Sequence, residues 1–377
     1  MTYRRVRAVF LKEFRHIIRD PRSLLMALFE PCLMLMLFGY ALSLDVDRIP
    51  TLVYDADKTP RSRELLQKFE ATRFFQIKGY VKDYKEIEYQ IDRGRVLMGI
   101  VVPQGYGEKI EGAQKTEIQV LIDGSDSNTA TIALGYVSGL TRSYAFQLRS
   151  ESQNRRAGWT PRVPLDLRQR IWYNSTLDSR NYVVPGLIAV MLMIIAALLT
   201  SLTIAREWEM GTMEQLMSTP LRPAEIVLGK MLAFFVVGAA DAVLAVVVGI
   251  FLFHVPFRGD VLLLGATTCI FLFGALCWGI FLSSVAKSQL LAYQMGIVTS
   301  FLPSMVLSGF VWAIENMPPV IQGITYMVPA RYFVTILKGI FLKGVGLEVL
   351  WIEVLFLIAF AGIVFTGATL KLRQKLA

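Results

Sequence analysis

Long apolar runs near the start and through the second half of the chain flank a stretch, residues 45–181, in which short apolar and polar segments alternate. A hydrocarbon core about 30 Å thick is crossed by roughly 20 apolar helical residues. Residues 24–44, 183–205, 231–253, 261–286, 290–314 and 349–370 reach that length, and the fourth and fifth runs contain no charged side chain. Pro21 suits the first turn of the first run. No small-residue cleavage site follows that run, so it reads as a retained span and not as a signal peptide. The pattern predicts an α-helical membrane protein with six transmembrane helices and a large α/β domain between helices 1 and 2.

Ahead of the first span, Val6, Val9, Phe10, Phe14, Ile17 and Ile18 recur at helical spacing, with Arg and Lys on the other faces. An amphipathic helix of this kind lies in the membrane interface. It serves either as a topology anchor or as a shelf that touches a partner. Within 45–181, strands are expected at 51–54, 74–81, 98–102 and 117–123, and helices near 62–72 and 82–93. Asp123-Gly124-Ser125-Asp126-Ser127-Asn128 supplies a turn and a helix cap. Ala133, Val137, Leu140, Tyr144 and Leu148 then mark one face of a long helix. No nucleophile elbow or phosphate loop occurs there, and Asp55 and Asp57 read as turn residues.

Composition sharpens this division. The chain is 54% hydrophobic and 18% charged, against about 25% charged for soluble domains. Residues 45–181 hold 21 of the 39 Lys and Arg and 18 of the 30 Asp and Glu, which suits a water-soluble domain. The net charge of +9 does not indicate nucleic acid, because the basic residues gather at the ends of spans. Arg4, Arg5, Arg7, Lys12, Arg15, Arg19 and Arg22 precede the first span, and Lys371, Arg373 and Lys375 follow the last. By the positive-inside rule both termini are expected in the cytoplasm and 45–181 outside it. The expected organisation is a cytoplasmic interfacial helix at 1–22, helix 1 at 23–44, a periplasmic domain at 45–181, and helices 2–6 in 182–377 with re-entrant helices at 315–347. Cys32, Cys269 and Cys277 lie in apolar runs, and with only two histidines, His16 and His254, no metal site is expected.

The inner loop after the second span reads Arg206-Glu207-Trp208-Glu209-Met210-Gly211-Thr212-Met213-Glu214-Gln215-Leu216-Met217-Ser218-Thr219-Pro220. It is expected as one short amphipathic helix with its acids near the start, where the helix dipole favours them. Its apolar load exceeds that of a free connector. This stretch resembles the Arg-Glu-x-Glu-x-Gly-Thr-x-Glu-x-Leu signature of the permease subunits of ABC-2-type (type V) ABC exporters. The likeness extends through Phe38-Gly39-Tyr40-Ala41-Leu42, Trp172-Tyr173-Asn174, Val184-Pro185-Gly186, Leu307-Ser308-Gly309-Phe310, Met317-Pro318 and Val328-Pro329-Ala330-Arg331-Tyr332-Phe333. The large outer domain and the Asp123-Gly124-Ser125 turn narrow it to the bacterial multidrug-efflux branch; Glu30 beside Pro31 departs from the pattern.

The resemblance implies an inner-membrane exporter subunit that binds no cofactor and is not itself an enzyme. ATP-Mg would be held by a separate cytoplasmic ATPase seated on a coupling helix at 206–219, formed by Arg206, Glu207, Glu209, Gly211, Thr212, Glu214, Gln215 and Leu216. A second permease subunit, identical or similar, and in this branch a periplasmic adaptor and an outer-membrane channel, are the further partners it implies, beside the lipid bilayer. The cargo would be hydrophobic or amphiphilic. In agreement, no Walker-type G-x-x-x-x-G-K-[ST] sequence occurs.

Charged residues inside spans are costly and mark functional positions. Glu30 and Asp241 are the candidates. Asp241, among Ala239, Ala240 and Ala242, is expected to hydrogen-bond a neighbouring helix; a titrating or cargo-cation role is the alternative. Met26, Met34, Met36, Met191 and Met193 suit either an adaptable groove or lipid-facing packing. The rival functions are an ion-driven secondary transporter, for which a single Asp is a poor relay, and a receptor with an outer sensing domain. The receptor lacks an inner segment long enough for an output domain.

Overall fold

Apolar positions three and four residues apart wind Tyr3–Arg19 into helix α1. Asp20 breaks it before α2 (Pro21–Ala41), where Pro21 takes a first-turn position that needs no N–H donor. The structure, a computed structural model, describes residues 3–41, 48–112, 114–157, 172–174, 178–286 and 288–376. It divides into two units, Leu44–Gln169 and the remainder of the chain.

The inserted unit is built on a four-stranded sheet of order β2-β1-β3-β4. Strand β1 (Ile49–Asp55) leads through α3 (Pro60–Glu70) to β2 (Phe75–Tyr80), and through α4 (Tyr84–Asp92) to β3 (Met98–Val102). A short α5 (Tyr106–Glu111) precedes β4 (Gln119–Ile122), and α6 (Ser127–Ala157) completes the unit. β1 pairs parallel with β2 and β3, and β4 runs antiparallel to β3, with Met98 opposite Ile122. The strand period of two sorts the side chains. Ile49, Val53, Met98, Ile100 and Val102 pack with Leu65, Leu66 and Phe69 of α3 and Ala133, Val137 and Tyr144 of α6. Leu52 and Val101 point the other way, onto Ile87 of α4. Asp57 accepts hydrogen bonds from Thr59 and from the Gly107 amide, tying the β1 turn to α5.

The other unit centres on α7 (Ser179–Glu209), capped by the Asp178 side chain at the Arg180 amide. Two-thirds of this helix is buried, and Met191 and Met193 lie in the core rather than on a groove or against lipid. After a short α8 (Thr212–Met217) come α9 (Pro223–Phe251) and α10 (Val261–Val285). Helix α11 (Gln289–Gly296) passes through a π turn at Ile297–Phe301 into α12 (Leu302–Leu307). Pro303 cannot donate to the turn before it, which is where a helix widens. Two helices, α13 (Pro319–Thr325) and α14 (Pro329–Lys338), meet at an 84° bend, and α15 (Leu347–Leu376) ends the fold.

Membrane helices gain no hydrophobic drive from one another and associate through close packing and polar contacts. The α7–α10 contact uses both. A Cβ on Gly279 would lie 2.0 Å from Thr200 Oγ1, so only glycine admits this approach. Across it, Thr200 Oγ1 donates to the Leu276 carbonyl at 2.9 Å, and Ser283 Oγ accepts from the Ile204 and Ala205 amides at 2.9 Å.

By length and composition five helices can cross a membrane: α7, α9, α10, the α11–α12 rod and α15; the bent α13–α14 pair would make six. The first expected span falls on α2, whose apolar part among the described residues is Leu28–Tyr40. The fifth expected span ends at Leu307 instead of residue 314, because the chain turns at Gly309 with φ +75°.

Gly279→Ala is expected to lower stability by about 1–3 kcal/mol through overpacking, read as a drop in Tm of the full chain in detergent. Gly265→Ala on the same helix, where an added Cβ meets nothing within 4 Å, should change it by less than about 0.5 kcal/mol.

Candidate functional site

The segment 206–219 is not one helix. Helix α7 runs on to Glu209, Met210 caps it, and Gly211 adopts φ +69° before α8 begins at Thr212. That left-handed corner requires glycine, a feature the expected single helix of residues 207–218 did not include. The corner separates two sets of residues. Arg206 and Glu209 grip the start of α11: Arg206 Nε donates to Gln289 Oε1 at 3.3 Å, and Glu209 Oε1 accepts from the Gln289 amide at 2.7 Å. Beyond it, Met213 is buried, Thr212 and Leu216 are half-buried, and Glu214 and Gln215 are exposed.

Glu207 faces inward. Its Oε1 takes Lys12 Nζ at 2.8 Å and Lys230 Nζ at 2.9 Å, and Lys230 Nζ also reaches Glu13 Oε1 at 2.9 Å. Lys230 is 1% exposed. This cluster joins α1, the end of α7 and the start of α9, and Arg5 with Glu225 adds a looser contact at 3.8 Å. Burial opposes ionisation of Glu13, yet the Lys230 ammonium, helped by Lys12, holds its carboxyl below the ordinary carboxylate range. Burial likewise opposes the Lys12 charge and is outweighed by Glu207 and Glu13, which raise the lysine. Lys12, Glu13 and Lys230 were not among the sequence candidates. The signal was there: Glu13 sits at the four-residue spacing between Val9 and Ile17, on the stripe that α1 buries.

Above the cluster opens a cavity of about 660 Å³ between α1, α2, α7, α8, α9 and α11. Lys12, Glu13, Glu207 and Lys230 line its charged end, and Leu198, Leu199, Leu202, Phe234 and Val237 form an apolar band. Glu30 of α2 is exposed on the wall. Asp241 is 0% exposed, and neither of its oxygens has a hydrogen-bond partner among the described residues. The expected bond to a neighbouring helix is therefore absent among those residues. No cluster of three or more metal-ligating side chains occurs among the described residues.

Helices long and apolar enough to cross a membrane, packed around a central α7, with an amphipathic helix held by ion pairs and a bent helix pair, define a helical multi-pass membrane protein. The ABC-2 family transporter protein profile matches residues 21–370. The chain is 36% identical to the "Probable multidrug ABC transporter permease YbhS" of Escherichia coli strain K12, over 100% of this chain and 98% of the relative. It is 31% identical to YbhR of the same strain, with the same descriptive name, over 90% of each chain, and 27% identical to "Inner membrane transport permease YhhJ" over 99% of each. The chain belongs to the ABC-2 transporter family, as a permease, and is a multi-pass protein of the inner membrane.

Removing one member of a buried ion pair costs about 3–5 kcal/mol, whereas neutralising both members is far milder. Lys230→Met should lower Tm sharply, and Lys230→Met with Glu207→Gln should recover most of the loss, since Lys12 and Glu13 remain paired. Glu207→Lys places a third cation in the cluster and should reduce folded yield. Glu13, depressed, contributes fully above the ordinary carboxylate pKa of about 4.3 and less as pH falls below it; Lys12, raised, contributes fully below about 10.4 and less as pH rises beyond. A Tm profile that is flat from about pH 5 to 10 and falls on both sides is expected, with the acid limb shallower in Glu13→Gln.

Proposed function

We propose that this chain is the transmembrane subunit of an ATP-driven exporter that moves a hydrophobic or amphiphilic cargo out of the cytoplasm or the inner leaflet. A separate ATPase, which binds ATP-Mg, docks on the segment 206–219, and two permease subunits act together. On this reading both termini are cytoplasmic and the inserted α/β domain is periplasmic, where an adaptor and an outer-membrane channel can continue the path.

The observation that carries the reading is the mechanical linkage of that segment. Helix α8 presents Glu214 and Gln215 to solvent, while the residues just before it hold three other elements: Glu207 through Lys12 of α1 and Lys230 of α9, and Glu209 through Gln289 of α11. A force on α8 thus reaches the ends of α1, α7, α9 and α11 together. The relatives' names, multidrug ABC transporter permease, agree with such a role.

The exposed face of α8, and not Glu207, is the place to test docking. Glu214→Lys replaces an exposed acid that packs on nothing essential, so the protein should insert with Tm unchanged. Like-charge contact with a basic partner surface should cut ATPase co-purification at least about tenfold and reduce export with it. Lys82→Glu, on the inserted domain, serves as the control. Co-purification and export at wild-type level in Glu214→Lys would remove the docking assignment. Gly211→Pro should fail as well, because proline fixes φ near −65° where this corner needs +69°.

A further inference from the structure

An amphipathic helix rests on a membrane by its apolar stripe, but in α1 the centre of that stripe is covered by protein. Val9 lies against Gly229 of α9, Glu13 is paired with Lys230, and Lys12 and Arg5 reach Glu207 and Glu225. The face turned away from these contacts is cationic. Arg4, Arg7, Arg15 and Arg19 follow one another at spacings of three, eight and four residues, which puts them on one side of a helix with 3.6 residues per turn. All four are exposed, and none has an ion-pair partner among the described residues. Ala8, Leu11 and Ile18 lie between them, and the stacked rings of Phe10 and Phe14 form the shoulder of this face. The helix also stands at the level of a membrane surface. It passes through Asp20 directly into α2, and its middle is tied to the last turn of α7 and the first turns of α9, two helices able to cross a bilayer.

Resting on the membrane orientation proposed above, we propose that this arginine face binds acidic phospholipids of the inner leaflet, one phosphate at Arg4 and Arg7 and another at Arg15 and Arg19. Residues three and four apart on a helix are neighbours, so each pair can close on one phosphate. The two pairs are centred about 17 Å apart along the helix, too far to share one. All four residues are arginine, whose planar guanidinium takes two phosphate oxygens at once, where a lysine offers only a point charge. The apolar side chains between and beside the arginines, Leu11, Ile18 and the Phe10–Phe14 pair, suit the boundary between headgroups and acyl chains. The leaflet supplies the matching sign, since acidic lipids attract basic segments at the membrane surface. The ATPase is a poor occupant. A partner surface that accepts Glu214 of α8 is basic, and an arginine face repels it.

The test uses the purified full-length chain in detergent micelles, without the ATPase. Tm is followed while dioleoyl phosphatidylglycerol or dioleoyl phosphatidylcholine is titrated in; the two have the same acyl chains and differ in net charge. A ligand that binds only the folded chain raises Tm. Phosphatidylglycerol is expected to raise it saturably, with a midpoint at least about tenfold below that of phosphatidylcholine, and added salt should weaken the preference. The fourfold variant Arg4→Gln, Arg7→Gln, Arg15→Gln and Arg19→Gln should match the wild type in phosphatidylcholine and lose the preference for phosphatidylglycerol. Arg4→Gln with Arg7→Gln, and Arg15→Gln with Arg19→Gln, should each lose part of it; should the fourfold variant fail to fold, these two carry the comparison. Inorganic phosphate at the same concentration should leave Tm unchanged, which separates a lipid headgroup from a free anion. The proposal is overturned if the two lipids act alike, if the variants keep the preference, or if inorganic phosphate reproduces the shift. It is equally overturned if the variants lose ATPase co-purification while their response to phosphatidylglycerol stays intact. Because Tm is read without the ATPase or transport, failure here leaves the exporter reading intact, and failure of ATPase docking leaves this measurement interpretable.

Discussion

Lys12, Glu13, Glu207 and Lys230 form a cluster in which each carboxylate meets an ammonium at 2.8–3.2 Å. Three of the four are buried and Lys12 closes the cluster from its exposed edge; burying such charges is tolerable only because they neutralise one another, and that condition dictates much of the membrane unit. It holds the amphipathic α1 against α9, where Val9 packs so closely on Gly229 that an added Cβ would lie 2.5 Å away. It also places Glu207 beyond the apolar body of α7, so that the helix continues to Glu209 before the Gly211 corner releases the chain into α8. In a lipid solvent apolar surface alone does not distinguish one helix pairing from another. A balanced set of charges does, because any other register leaves one of them unpaired.

The same logic recurs where helices are pinned by polar contacts rather than by bulk. Thr200 and Ser283 bridge α7 and α10 across the Gly279 approach. At the opposite end of α7, the Tyr182 hydroxyl donates to the Gly309 carbonyl at 2.9 Å, and Lys338 of α14 donates to the same oxygen at 3.0 Å. Lys338 also stands 3.4 Å from the centre of the Tyr182 ring. Helix α7 is thus fixed at both ends by a cation, at one by Lys12 and Lys230 and at the other by Lys338, with the Thr200 and Ser283 contacts to α10 between them.

Periodicity exposed the elements whose burial is one-sided. The stripe from Val6 to Ile18 is α1, and the Ala133–Leu148 face is the side of α6 that packs on the sheet. The apolar run at 98–102 is β3, buried at every position. What the sequence hid has a common cause: local pattern reports composition, not partners. Glu207 sits in a stretch that reads as a continuous helix rich in surface acids, yet its partners lie 195 and 23 residues away, at Lys12 and Lys230. The Gly211 corner was invisible because glycine is tolerated within a helix as well as after one. Asp241 looked ready to hydrogen-bond because its neighbours are small, but small neighbours allow close approach without supplying a donor. Apolar composition defined five of the membrane helices better than it defined α2, whose apolar part among the described residues is the shorter Leu28–Tyr40.

Lys230 is held by Glu13 and Glu207, so the ion cluster ties the start of α9 to α1 and α7 at once. Helix α9 runs unbroken from Pro223 to Phe251, with no proline after its first turn. Its charged end and its apolar length therefore belong to one element, and the charges that anchor that end also set where its deeper face meets α7 and α10.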